Sequence, residues 1–277
     1  MVNKKVKIIA SIMSMALIFG CCSMGIKSYA HDFFKKQECC HPEDNEDMSV
    51  KEMKKHLKSH GYSQDDMELL YLCGKIETMQ KKGKLKDKEE LSDKDIKKLV
   101  EDVDEQASVL EEDDGSTGGV PEVAVMAYEM WNALTDDEKA LVVAHPVKAL
   151  AVNATSNKAT ELTIMAFGVN GLGDKSDGYR HAMWNCLMTR EIGKEYAEEF
   201  ANAHESGKTE EELAELAADG FEESLHQEMD LHNNEVGRNT IDENEPIETY
   251  DDKYLYYRIM EKMTNNKVEG EIYWLHD

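Results

Sequence analysis

Hydrophobic positions along the chain recur at helical spacing and almost nowhere alternate, a pattern that predicts helices and hardly any sheet. Three amphipathic stretches occupy residues 49–60, 63–81 and 92–110, each opening near a serine followed by acids, as helix N-termini do. The middle one sets Met67, Leu70, Tyr71, Gly74 and Met79 near one face, enough to dock and hardly enough to fold alone. Residues 111–119 break the pattern, acidic and then rich in Gly, Ser and Thr, with Pro121 as a helix-starting residue just beyond. Further on, Val123, Met126, Ala127, Met130 and Trp131 resume helical spacing, and Thr135 and Glu138 form a capping box ahead of Leu141, Val142 and Val143. His145-Pro146 interrupts that helix before another over 147–166.

The glycine-rich stretch 168–178 lacks the Gly-Lys-Ser/Thr ending of a phosphate loop and reads as a connector, with Asp177 placed to cap a helix over 178–192. Helices over 194–204, and from the capping box of Thr209 and Glu212 through to Arg238 with Gly237 as C-cap, complete the core pattern. The aromatic run 254–260 reads as a helix packed on the bundle, and Ile272, Tyr273 and Trp274 as a short strand within 269–275. The expected fold class is all-α: a bundle-like C-terminal domain preceded by a small helical accessory region. The expected divisions are a leader (1–30), an acidic accessory or linker region (31–119), a helical domain (120–245) and a C-terminal helix and tail (246–277).

The leader changes the picture of location. Lys4, Lys5 and Lys7 precede an apolar run over residues 8–26 that closes on Ser28-Tyr29-Ala30, the layout of an export signal. The run is long enough that an uncleaved N-terminal anchor stays open, and Cys21 leaves a lipoprotein open although Phe19 fits a lipobox poorly. Removal of the leader leaves Cys39, Cys40, Cys73 and Cys186; a bridge from Cys39 or Cys40 to Cys73 would staple the N-terminal region, whereas Cys186 reads as a buried free thiol.

The chain carries 57 acidic and 32 basic residues, a net charge of −25, and 28 basic against 57 acidic without the leader, or −29. Binding to nucleic acid is therefore not expected, since phosphate affinity rests on clustered Lys and Arg. A cell-envelope component or another protein is the partner class left.

Chemistry-bearing residues concentrate between 168 and 238. Asp177, His181 and Asn185 form one stripe flanked by Trp184 and Met188, so their polar groups line a pocket or lie buried with partners. His204-Glu205 closes the next helix, and Asp230 and Asn234 repeat the four-residue spacing beside Asn233. His56 and His60 also stand four apart, but among Lys54, Lys55 and Lys58 they read as a solvated face.

The segments Asp177-Gly178-Tyr179-Arg180-His181-Ala182-Met183-Trp184-Asn185, Ala203-His204-Glu205 and residues 229–238, with the upstream Thr135 to Pro146 pattern, resemble a bacterial domain of unknown function. That family occurs in exported proteins and near the C-termini of polymorphic-toxin-like proteins. The resemblance covers about residues 123–239 and implies a helical domain with a site near His181, His204, Glu205 and Asp230.

Two chemistries suit that site. In a metal-dependent hydrolase His181, His204 and Asp230 would ligate zinc or calcium and Glu205 would act as general base, although the HExxH signature is absent. In a metal-free version Glu205 or Asp230 is a general acid beside His181, with Arg180 or Arg238 stabilising an anion, and cell-wall glycan or phosphodiester substrates both suit the set. The competing expectation is a non-catalytic envelope domain whose Asp177, Asn185, Asn233 and Asn234 form a buried polar or metal-stabilised network.

Overall fold

A computed structural model of the chain describes residues 48–62, 67–81, 130–131, 133–242, 244–263 and 272–277. The leader, Cys39, Cys40, the stretch 92–110 and the break at 111–119 lie outside the described residues. Helices α1 (Val50–Ser59) and α2 (Met67–Lys81) are followed by α3 (Asp136–Ala144), α4 (Pro146–Phe167), α5 (Lys175–Ile192) and α6 (Lys194–Glu205). A short α7 (Glu210–Leu213), then α8 (Glu223–Arg238), a 3-10 turn (Ile247–Thr249) and α9 (Asp252–Met263) complete the order. Among the described residues no strand is present, so the fold is all-α, and no described helix is long and apolar enough to cross a membrane.

Helix α5 is the axis of the fold, packed by α4, α6, α8 and α9. Every residue from Ser176 to Ile192 except Arg180 is buried. A helix enclosed on all sides must satisfy its polar side chains internally, and α5 carries Asp177, His181, Asn185, Arg190 and Glu191. The chain makes this possible by thinning α8 where it crosses: Gly237 lies so close to α5 that a Cβ there would come within 2.1 Å of the Ala182 carbonyl oxygen. Gly237 is thus a helix-crossing residue inside α8, not a C-cap; Asn239 closes the helix.

Two of the three N-terminal stretches dock, α1 and α2 both packing on α4, although α2 buries Leu69, Leu72, Cys73 and Ile76 while Leu70 and Gly74 of the expected face are only half-buried. Val50, Met53, Leu57, Leu69, Leu72 and Ile76 join the same apolar cluster as Trp131, Leu162 and Leu187. Cys73 sits in this core as a free thiol, which removes the expected bridge, and Cys186 is likewise free and buried. Burial pushes both thiols up, Cys186 to about 12.

Other boundaries differ from expectation for local reasons. Asp174 caps α5, its Oδ1 accepting the Ser176 and Asp177 amides at 2.8 and 3.1 Å, so the helix starts one turn before the expected cap, Asp177. The capping box of Thr209 forms, but α7 ends at Leu213, and a Leu216–Glu222 bridge around the Asp219-Gly220 turn, with Gly220 at φ +90, separates it from α8. Residues 272–277 form no strand: Asn233 brackets the Tyr273 backbone at 2.7 and 2.8 Å, and Leu275 donates to the Gly173 carbonyl at 2.8 Å. The tail lies on Gly178, where a Cβ would meet the Tyr273 carbonyl oxygen at 2.6 Å.

Candidate functional site

The first turns of α5 and the middle of α8 face each other, and the polar stripes expected on each meet. Arg180 pairs with Asp177 and places Nη2 at 2.9 Å from His181 Nε2. A guanidinium can only donate, so Nε2 accepts and the imidazole proton is on Nδ1, directed to Asn234 Oδ1 at 3.3 Å. The same Asn234 oxygen accepts from Asn185 Nδ2 at 2.6 Å, and Asn185 Oδ1 accepts from Arg238 Nη1 at 2.9 Å. The chain of donors fixes both amides and one histidine tautomer. Burial, followed by the charge of Arg180, pulls His181 down to about 3, so it is neutral.

Asp230 Oδ1 stands 3.3 Å from His181 Nε2 without a hydrogen-bond geometry. Two acceptors that close repel unless a proton or cation intervenes. Burial, then the charges of Glu205 and Asp177, hold Asp230 well above the usual carboxylate range, and burial raises Glu205 as well. Asp177 goes the other way. Burial would raise it, but Arg180, His181 and the Gly173 amide at 2.8 Å outweigh that and keep it ionised. Within one network the acids are therefore shifted in opposite directions, Asp230 and Glu205 upward and Asp177 downward.

His204 borders this network and ends α6. Its Nδ1 meets Glu138 Oε1 at 2.9 Å, while the other Glu138 oxygen accepts the Thr135 amide in the α3 capping box at 2.8 Å. Burial pulls His204 down, but the bond to Glu138 and its charge prevail and raise it. His204 opens on a cavity of about 760 Å³ whose charged walls are Asp136, Asp137, Glu138, Glu212, Glu215 and Glu223 against Lys208.

Of the expected metal ligands, His181 and Asp230 come together, with Asp177 as the third group whose ligand atoms lie within 4.8 Å of one another. His204 does not join them, being turned to Glu138. Arg180 Nη2 already contacts both Asp177 and His181, so a built-in cation stands among these ligands. Asn233 takes no part in the Asn185–Asn234 relay, since its amide holds the tail.

Sequence reading missed Glu138, concealed in its capping role, and a second polar cluster at the far end of α5. There His56 Nε2 and His60 Nδ1 stand 3.1 and 3.3 Å from Glu191 Oε2. Both histidines are buried, which corrects the expected solvated face. Arg190 Nε and Tyr62 Oη each donate to Glu191 Oε1 at 2.8 Å, and Arg190 Nη1 reaches Asp252 at 2.8 Å. The sequence signal was a charged pair, Arg190-Glu191, set among Leu187, Met188 and Ile192 on an otherwise enclosed helix.

No curated protein and no solved structure is similar to the chain. Residues 139–267 match Domain of unknown function (DUF6973), a segment that begins just after Glu138, spans α4 to α9 and contains the whole Asp177–His181–Asp230 site.

Proposed function

We propose that this domain is an exported hydrolase working by metal-free acid–base chemistry on a cell-envelope glycan. The observation that carries the reading is a set of four buried polar atoms without hydrogen-bond partners in one network: Arg180 Nε, Asn234 Nδ2, Glu205 Oε1 and Asp230 Oδ1. Two can donate, and two belong to carboxyls whose proton affinity burial raises, so a ligand offering hydroxyl and ether oxygens would complete them. Acids whose environments push their proton affinities apart divide the roles between them. Glu205 gives its proton to the leaving oxygen as the glycosidic bond breaks, Asp177, ionised, faces the positive charge that develops on the sugar, and a water adds to the anomeric carbon and returns its proton to Glu205. Arg180 orients Asp177. The acidic cavity beside His204 suits a neutral or amino-bearing chain and repels a phosphodiester.

The full chain incubated with peptidoglycan is expected to release reducing ends, with Glu205→Gln about 100-fold slower or worse. A wild-type protein that releases none, while folded, overturns the reading. Chelation discriminates the metal-dependent version, which requires Arg180 to leave Asp177 and His181 and would make activity vanish in EDTA. A second reading rests on the burial of His181, Asn185 and Asn234 at 3%, 0% and 0% exposure. In it the network is a closed lattice that stiffens a non-catalytic envelope-binding domain.

A further inference from the structure

We infer that His56, His60 and Glu191 supply three ligands of a zinc site, its fourth position left to a water, that clips the N-terminal helical hairpin to the central helix. His56 lies in the last turn of α1 and His60 at its C-cap, four residues apart, the spacing that presents two imidazoles to one ion. The carboxylate comes from the far end of α5, more than a hundred residues away in sequence, so the fold and not local composition assembles the group.

The geometry fits zinc. A tetrahedral ion with bonds of about 2.0–2.1 Å holds its ligand atoms about 3.3–3.4 Å apart along each edge. His56 Nε2 and His60 Nδ1 lie 3.1 and 3.3 Å from Glu191 Oε2, and all three ligand atoms fall within 4.8 Å of one another. The two rings are 4.0 Å apart by centroid and tilted by 55°, so they converge without stacking flat. The non-ligating oxygen of Glu191 is held by Arg190 and Tyr62 at 2.8 Å each, as outer partners hold a ligating carboxylate. Arg190 in turn is paired with Asp252, which also lies 3.5 Å from Lys158.

This cluster differs from the Asp177–His181–Asp230 group in one respect that decides between them. No guanidinium nitrogen stands between its ligands: Arg190 reaches the opposite oxygen of the carboxylate, whereas Arg180 contacts two of the three ligands of the other group. An ion there would tie α1 to α5 directly, beside the apolar packing of α1 and α2 on α4. It would act as a staple for the region that precedes the matched domain.

The test uses the full chain. After dialysis against zinc and then metal-free buffer, about one zinc per chain is expected by elemental analysis, and cobalt(II) substitution should give the intense visible bands of a four-coordinate site. His60→Gln should lower zinc affinity at least about 100-fold, and Tyr62→Phe, which keeps the packing and removes one hydroxyl, about 10- to 100-fold. Asp177→Asn should leave zinc content unchanged. A folded wild-type chain that retains no zinc and gives no cobalt bands overturns the inference, as does zinc lost on Asp177→Asn but kept on His60→Gln. Stability that responds to pH but is blind to zinc also overturns it, because a proton then bridges the cluster.

Discussion

Gly237→Ala sets local preference against tertiary contact, and the structure decides the sign. In an isolated helix the change stabilises by about 1 kcal/mol, because alanine is the better helix former. In α8 the added Cβ would lie 2.1 Å from the Ala182 carbonyl oxygen and 3.0 Å from the Ala182 Cα, where ordinary contact begins at 3.4 Å. Both partners are helix backbone, so neither can rotate away, and α5 and α8 must part by roughly 1 Å at the crossing. That separation strains the Asn185–Asn234 and Arg238–Asn185 hydrogen bonds, 2.6 and 2.9 Å long and buried, each costing about 1–3 kcal/mol when left unmet. Overpacking itself costs about 1–3 kcal/mol. The net expectation is a loss of roughly 3 kcal/mol, a shift of about 1 M or more in the urea midpoint. Gly74→Ala is the matched control, since α2 leaves nothing within 4 Å of a Cβ there and should gain up to about 1 kcal/mol. Urea unfolding followed by circular dichroism reads both. A Gly237→Ala chain as stable as wild type would refute the close crossing on which the site depends.

Three further outcomes follow from the buried charges. Because His181 is lowered from 6.5 to about 3 in the folded chain, its contribution is present above pH 6.5 and lost as pH falls towards 3. That loss reaches ~5 kcal/mol, and a His181→Gln chain should show a flatter stability profile over this window. His204 has the opposite sign: raised when folded, it stabilises below its ordinary 6.5 and loses that as pH rises through the folded value. Glu138→Gln should move its proton resonance titration to lower pH, and an unmoved titration would show that Glu138 does not hold it. Arg190→Met leaves Glu191 and Asp252 buried without their shared cation and should cost about 3–5 kcal/mol by thermal or urea unfolding.

The period of the apolar positions made the helices readable, and capping chemistry placed α3 at Thr135 correctly. It failed where two local signals competed. Thr209 announces a helix, and nothing in the residues just after it warns that Asp219-Gly220 will turn the chain before α8. Gly237 near a helix end looks like a cap because a cap is a local explanation; the α5 backbone that requires it is remote. The stripe Asp177, His181, Asn185 was legible because polar residues on an apolar face advertise burial, and Asp230 with Asn234 repeats the signal on its partner helix.

The same logic explains the one polar cluster that sequence reading set aside. His56 and His60 have lysines as sequence neighbours, and on α1 those lysines point to solvent while the histidines point to Glu191. Neighbours along the chain report which residues share a segment, not which share a face. The discriminating clue lay on α5. A helix that is enclosed on every side cannot carry Arg190 and Glu191 unless other elements bring donors and acceptors to them, and here His56, His60, Tyr62, the Tyr250 carbonyl and Asp252 do so. An enclosed charged pair therefore demands partners, and asking which unassigned polar residues could meet that demand would have returned His56 and His60 to the core.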